Sequence, residues 1–338
     1  MRRIWTIAGI LVLAAAGGAA SWTWSQVPMQ GKLNADDNAF FMTFHPELQK
    51  VLLTIDSGAG EVASYAFDPP RWTPIGTDAM AVPMTGSGYA YGLTQSLVFD
   101  LNLSMPLLFG MAVENAPGTS VLMMPYKGAP DGQWAWTSPS WKKMDPDDPG
   151  GFVTAYDSVR RRTVIMGLFF QGDLSRWTQE FDGHDYTRIA QPDGWNFTSG
   201  VAGFDPGTGR TVFFGKVRDN HGPETAEFDG NAWTLVETSQ APRKDGMMTP
   251  LVHVPALGGL VGAEQTSSGP VTWLYRGHDW RALGVQTPPP PRSGAQITYD
   301  ETGGRLILFG GADEDGDPSP EVWELVQLPG HQRPVEKP

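Results

Sequence analysis

A glycine recurs along this 338-residue chain at an almost fixed interval. Gly110, Gly167, Gly215, Gly262 and Gly310 are spaced 57, 48, 47 and 48 residues apart. Each closes a short apolar run: PLLFG, TVIMG, TVFFG, GGLVG and LILFG. Self-similarity near 50 residues marks one supersecondary unit repeated in series, and four short strands with their turns fill that length.

The unit is clearest over residues 197–238. An apolar strand ends at Phe204-Asp205, the turn Pro206-Gly-Thr-Gly-Arg210 follows, and a second strand, Thr211–Phe214, runs into Gly215. Beyond a polar loop come Thr225–Asp229, a tight turn at Asp229-Gly230, and a fourth strand around Trp233. The aromatic-aspartate end recurs at Phe99-Asp100, Tyr156-Asp157 and Tyr299-Asp300, with Phe44-His45 and His253-Val254 in its place elsewhere. The third-strand turn recurs at Lys127-Gly128, Asp182-Gly183 and Arg276-Gly277. Fourth-strand aromatics stand at Trp72, Trp134 or Trp136, Tyr186, Trp233 and Trp280, and large rings suit the packing of sheet on sheet.

These repeats predict an all-β, six-bladed β-propeller over 21–328, with blades at 38–77, 94–140, 151–191, 197–238, 247–285 and 293–328. The last blade lacks an aromatic fourth strand, whereas Ser21-Trp-Thr-Trp-Ser-Gln-Val27 resembles one. The expectation is that the N-terminal strand 22–27 completes blade six and closes the ring, so that no sheet edge is left open. Residues 329–338 form a flexible tail.

Ahead of that strand, Arg2-Arg3 precedes an uncharged apolar run, Ile4–Ala20, that ends in small residues. This layout reads as a signal peptide or an uncleaved membrane anchor, since 17 apolar residues lie at the lower limit of a span. The chain is therefore expected to be exported, periplasmic or extracellular, with membrane contact only through residues 4–20 anchored in an inner membrane. The formal charge of −13 argues against a nucleic-acid partner, whose phosphates would be repelled. The chain has no cysteine, which excludes disulfides and cysteine metal sites.

Several segments resemble kelch repeats of the bacterial, galactose-oxidase-like propeller type. The best match is Pro290-Pro-Arg292, Ile297-Thr-Tyr-Asp300, Leu306-Ile-Leu-Phe-Gly-Gly311 and Val322-Trp323, and Ala241-Pro-Arg243 follows it more loosely. The resemblance covers roughly residues 22–328 and implies a propeller whose first strands line a central channel. The copper-radical chemistry of galactose oxidase needs a tyrosine cross-linked to cysteine, so the absence of cysteine excludes it here. The six histidines show no metal-ligand spacing, although His45 and His253 both close a first strand.

The candidate binding residues lie in the variable loops. Arg243 and Arg292, 49 residues apart in equivalent blade-to-blade loops, could grip a carboxylate bidentately. Asn220, His221 and Phe170 occupy loops after the second strand on the same face. Asp313, Asp315 and Asp317 alternate around Gly316 as candidate calcium ligands, the one cofactor suggested. The expectation is a monomeric, non-catalytic module that binds a protein or a carbohydrate. The alternative is a carbohydrate-acting enzyme (epimerase, lyase or hydrolase) with its site at the channel mouth. Propellers serve many functions, so the fold does not choose between these readings.

Overall fold

The structure is a computed structural model that describes residues 22–31, 33, 39–56, 61–79, 96–109, 151–168, 177–219, 221–243, 248–313 and 315–327. Among them there is no helix. The strands form six sheets in chain order. Blade one holds β2 (Ala39–His45), β3 (Lys50–Asp56), β4 (Glu61–Asp68) and β5 (Arg71–Ala79). At the second position β6 (Ser96–Asp100) pairs with β7 (Met105–Phe109). Blade three holds β8 (Gly151–Asp157), β9 (Arg162–Leu168), β10 (Trp177–Phe181) and β11 (Tyr186–Ala190). Blade four holds β12 (Trp195–Asp205), β13 (Arg210–Arg218), β14 (Glu224–Phe228) and β15 (Trp233–Val236). Blade five holds β16 (Val252–Val254), β17 (Gly259–Glu264), β18 (Val271–Arg276) and β19 (Asp279–Ala282). The last sheet holds β21 (Gln296–Asp300), β22 (Arg305–Phe309) and β23 (Val322–Gln327), followed by β1 (Trp22–Val27) and the short β20 (Val285–Gln286).

The fold is a β-propeller. It shows five complete blades rather than the six expected. The second position carries a two-stranded sheet, and the outer strands expected there, with Lys127-Gly128 and Trp134 or Trp136, lie outside the described residues.

The core is distributed over the seams. Among the described residues six buried apolar clusters each join two successive sheets, and one of them joins the last sheet to blade one through Ile307, Phe309, Val322, Phe40 and Leu53. A single sheet could not bury both its faces alone, so each blade depends on its neighbours.

The aromatic-aspartate signature has a local cause. Each first strand turns into the second through a hairpin whose fifth residue, counted from the aspartate position, is left-handed. These residues are Gln49, Ser104, Arg161, Gly209, Gly258 and Gly304, with φ between 52° and 68°. The aspartate caps the turn: Asp157 Oδ1 accepts from the amides of Val159 and Arg160, and Asp100 Oδ1 from those of Asn102 and Leu103. In blade one the Nδ1 of His45 does this work, accepting from the Leu48 amide at 3.2 Å. Blade five uses backbone alone, with the amides of Leu257 and Gly258 bonding to the Val254 carbonyl. Strand register puts His45 opposite Lys50 but Val254 opposite Gly259. His45 therefore holds the aspartate position and His253 the aromatic one before it. The expected equivalence of the two histidines fails by one residue, which in a strand reverses the face.

The periodic glycines also need correction. Gly310 does follow the end of β22, but Gly167, Gly215 and Gly262 lie inside β9, β13 and β17. Gly215 is required by close approach, because a Cβ there would lie 2.2 Å from the Ser199 carbonyl oxygen. Gly110 lies outside the described residues, as do 1–20 and 329–338.

The fourth-strand tryptophans bind across the seams. The indole of Trp233 donates to Thr178 at 2.8 Å, Trp280 to Thr225 at 2.9 Å and Trp24 to Thr272 at 3.0 Å. In each pair a fourth strand reaches the third strand of the preceding sheet. Trp24 thus behaves as a fourth-strand residue, and β1 pairs antiparallel with β23 from Trp22↔Gln327 to Val27↔Val322.

Candidate functional site

The first strands β2, β6, β8, β12, β16 and β21 leave their outer edges toward the middle of the molecule. Around them lies a channel of about 1190 Å³. It reaches from Pro46, Ser158, Pro206 and Pro255 in the hairpins to Ser293, Gly294, Ala312 and Pro318 in the loops of the opposite face. This exceeds the ~300–1,000 Å³ of most small-ligand pockets.

Its wall is apolar and hydroxylated. Phe41, Leu97 and Val201 alternate with Thr43, Thr154, Ser199, Gln296 and Thr298, and Tyr156 and Tyr299 sit near the hairpin end. The Oγ1 of Thr154 is buried there without a hydrogen-bond partner. Among the described lining residues Glu301, His253 and the two tyrosines carry the ionisable groups, all near the hairpin end. His253 Nε2 lies 3.7 Å from Asp205 Oδ1. Burial lowers the His253 pKa from 6.5 and outweighs the opposing pull of Asp205. The described first-strand aspartates, Asp100, Asp157, Asp205 and Asp300, each cap their own turn through one carboxylate oxygen, and none of them lines the channel.

Of the predicted binding residues Arg292, Arg243 and His221 are described. Arg292 is 4% exposed and fully engaged. Its Nη2 pairs with Glu321 at 2.7 Å, Nη1 donates to the Gly310 carbonyl and Ser319 Oγ, and Nε donates to the Pro290 carbonyl. Burial raises the Glu321 carboxyl, but the hydrogen bonds from Arg292 and Trp323 outweigh it and hold the pKa below the usual range. Arg292 thus braces the last sheet, and its guanidinium is spent on groups of this chain. The Arg243 amide bonds Glu264 Oε1 in the blade that follows it, whereas the Arg292 amide bonds Gln265 Oε1 in the blade before it, so the two loops are held differently. The Arg243 side chain, unlike that of Arg292, is exposed. His221 is exposed beside Glu224 at 3.8 Å. Asn220 and Phe170 lie outside the described residues.

The acidic loop is a turn of its own making. Asp313 Oδ1 accepts from the amides of Asp315 and Asp317, and the Asp313 amide donates to the Asp317 carbonyl. Among the described residues no three histidines or carboxylates converge in a metal-binding group. Beside this loop the Gly310-Gly311 doublet takes φ of 73° and 83°, which lets Ala312 pair with Ser293 across the channel mouth. A Cβ on Gly311 would lie 2.7 Å from the Ser293 carbonyl oxygen.

Sequence reasoning missed the channel hydroxyls. Only strand alternation marks them, and Thr or Ser in a strand is too common to select.

No family model matches the chain, and no curated protein matches it in sequence. The likeness is to solved folds. A glucose dehydrogenase superposes with a TM-score of 0.54 at 13% identity, over 91% of this chain and 100% of that one. A protein of unknown function from Bacteroides thetaiotaomicron VPI-5482 gives 0.54 at 10% identity, over 91% and 76%. An auxiliary nutrient binding protein from Bacteroides ovatus ATCC 8483 gives 0.53 at 11% identity, over 92% and 78%. At such identities the likeness is one of fold.

Proposed function

We propose that this chain is an exported, monomeric, six-bladed propeller of the kelch type, closed through β1, that binds an uncharged small ligand in its central channel without turning it over. The observation that carries this reading is the channel wall, an apolar surface set with the hydroxyls of Thr43, Thr154, Ser199 and Thr298 and the amide of Gln296, with His253 and Glu301 confined to the hairpin end. Such a wall suits a neutral polyhydroxylated molecule, whose hydroxyls it can bond and whose apolar faces it can cover. A sixth blade is supported by the six equivalent hairpins, and closure by the fourth-strand role of Trp24. Export is supported by the apolar run 4–20. The nutrient binding protein and the glucose dehydrogenase among the similar folds make a sugar a sensible first ligand class.

The test is a glycan array followed by titration calorimetry and chromatography of the incubated ligand. Neutral sugars should bind, Gln296→Phe in the channel wall should weaken binding at least tenfold, and the ligand should be recovered unchanged. Conversion of the sugar would replace this reading with the carbohydrate-enzyme one. Capture of a protein with no sugar bound would move the site out of the channel.

A further inference from the structure

Among the described residues the exposed large hydrophobics are Leu48, Leu101 and Val159, at 45%, 38% and 64% exposure. All three occupy the hairpin between first and second strands, in blade one, the second sheet and blade three. They therefore lie on one face of the propeller, on three consecutive sheets. The matching hairpins of blades four to six present Gly207, Pro255 and Thr302 on that face. Isolated surface apolar residues need no explanation, but a one-sided cluster marks an interaction surface.

Chain direction identifies what covers it. A fourth strand runs away from the hairpin face, and β1 occupies the fourth-strand place. Its first residue, Trp22, pairs with Gln327 at the end of β23, so the chain enters the fold on the hairpin face. The sheet it enters neighbours blade one, where the apolar patch begins. Only Ser21 separates Trp22 from the uncharged run Ile4–Ala20. One residue spans about 3.5 Å, so an anchor at 4–20 would leave this face no room to stand away from a bilayer.

We propose that the hairpin face docks on a lipid surface, with Leu48, Leu101 and Val159 in the interfacial layer and the loop-side channel mouth turned to solution. This rests on the anchored reading of residues 4–20. Lys50, Arg71, Arg161 and Arg276 stand on this face among Glu47, Asp68, Asp229 and Glu301, and Lys50 pairs with Asp68 at 3.2 Å, so apolar insertion and not headgroup charge carries the docking.

The absence of cysteine allows clean single labels. The full chain is reconstituted in phosphatidylcholine–phosphatidylglycerol vesicles with brominated acyl chains. An environment-sensitive dye is placed at Leu48→Cys, Val159→Cys or, on the opposite face, Ser267→Cys, each variant with an unchanged thermal melt. Dyes at 48 and 159 should be quenched by the bromolipid and the dye at 267 should keep its full intensity. Vesicle-bound protein with no quenching at 48 and 159 overturns the docking and leaves the anchor standing. Protein that fails to float with the vesicles overturns the anchor, and the docking with it. Dyes at 48 and 159 shielded from aqueous acrylamide yet unquenched by bromolipid overturn lipid docking and assign the face to a second protein copy or partner.

Discussion

At the scale of the residue, the seams are written in tryptophan and threonine. Strand register extends the pattern to a place where it fails. The threonine that meets the next sheet's fourth-strand tryptophan lies three residues before the residue paired with its own sheet's fourth-strand tryptophan: Thr225 before Phe228, opposite Trp233, and Thr272 before Tyr275, opposite Trp280. In the last sheet the same count from Leu325 gives Val322, and the indole nitrogen of Trp72, packed beside it, is buried without a partner. Val322→Thr is isosteric and supplies the acceptor, so it should raise stability by about 1 kcal/mol in chemical denaturation. Thr225→Val should strand the Trp280 donor and cost about 1–3 kcal/mol. A neutral Val322→Thr would show that the Trp72 indole is satisfied in another way.

His45 makes a second prediction at this scale. Burial lowers its pKa from 6.5, against the smaller opposing effects of Glu47 and the backbone, and its Nδ1 must stay unprotonated to accept the Leu48 amide. A depressed native pKa means that the unfolded chain binds the proton more readily. Stability is then full above pH 6.5 and falls as the pH drops from 6.5 toward the native value. His253 acts in the same direction. His45→Asp restores the residue that caps most other hairpins. It should flatten the loss of melting temperature between pH 7.5 and 5.5, and an unaltered slope would remove His45 from the account.

At the scale of the element, β1 and the Gly310-Gly311 turn matter most. β1 covers β23 along its whole length and contributes Trp22 and Trp24 to the seam with blade five. Deleting residues 22–27 exposes that edge and removes both tryptophans from the seam, so the melting temperature should fall sharply and the transition broaden. An unchanged melt would mean that β1 adds nothing to closure. Gly311→Ala places a Cβ against the Ser293 carbonyl in a left-handed backbone and should cost ~1–2 kcal/mol or more. The period of the glycines was legible in the sequence, but not the reason for each. Gly311 serves a turn, whereas Gly215 serves the approach of two strands within one sheet.

At the scale of the whole molecule, the channel sets the expectation for binding. A neutral ligand held by hydroxyl and aromatic groups should show an affinity nearly independent of salt, despite a net charge of −13. Titrations at low and high ionic strength check this, and a steep salt dependence would point to an ionised ligand and away from the channel wall described here.

The sequence by itself determined the all-β repeat, the order of strands within a blade, the hairpin turns and the fourth-strand character of residues 22–27. These follow from local patterning: strand alternation, turn chemistry and a fixed period. Tertiary structure decided which polar side chains were already spent. Arg292 looked free in a loop but is consumed by Glu321, Ser319 and two carbonyls. The Asp313 loop looked like a cation site but its first carboxylate is committed to its own amides. The channel is lined from seven separate stretches of chain, and no local pattern encodes a surface whose members meet only when the sheets pack around a centre.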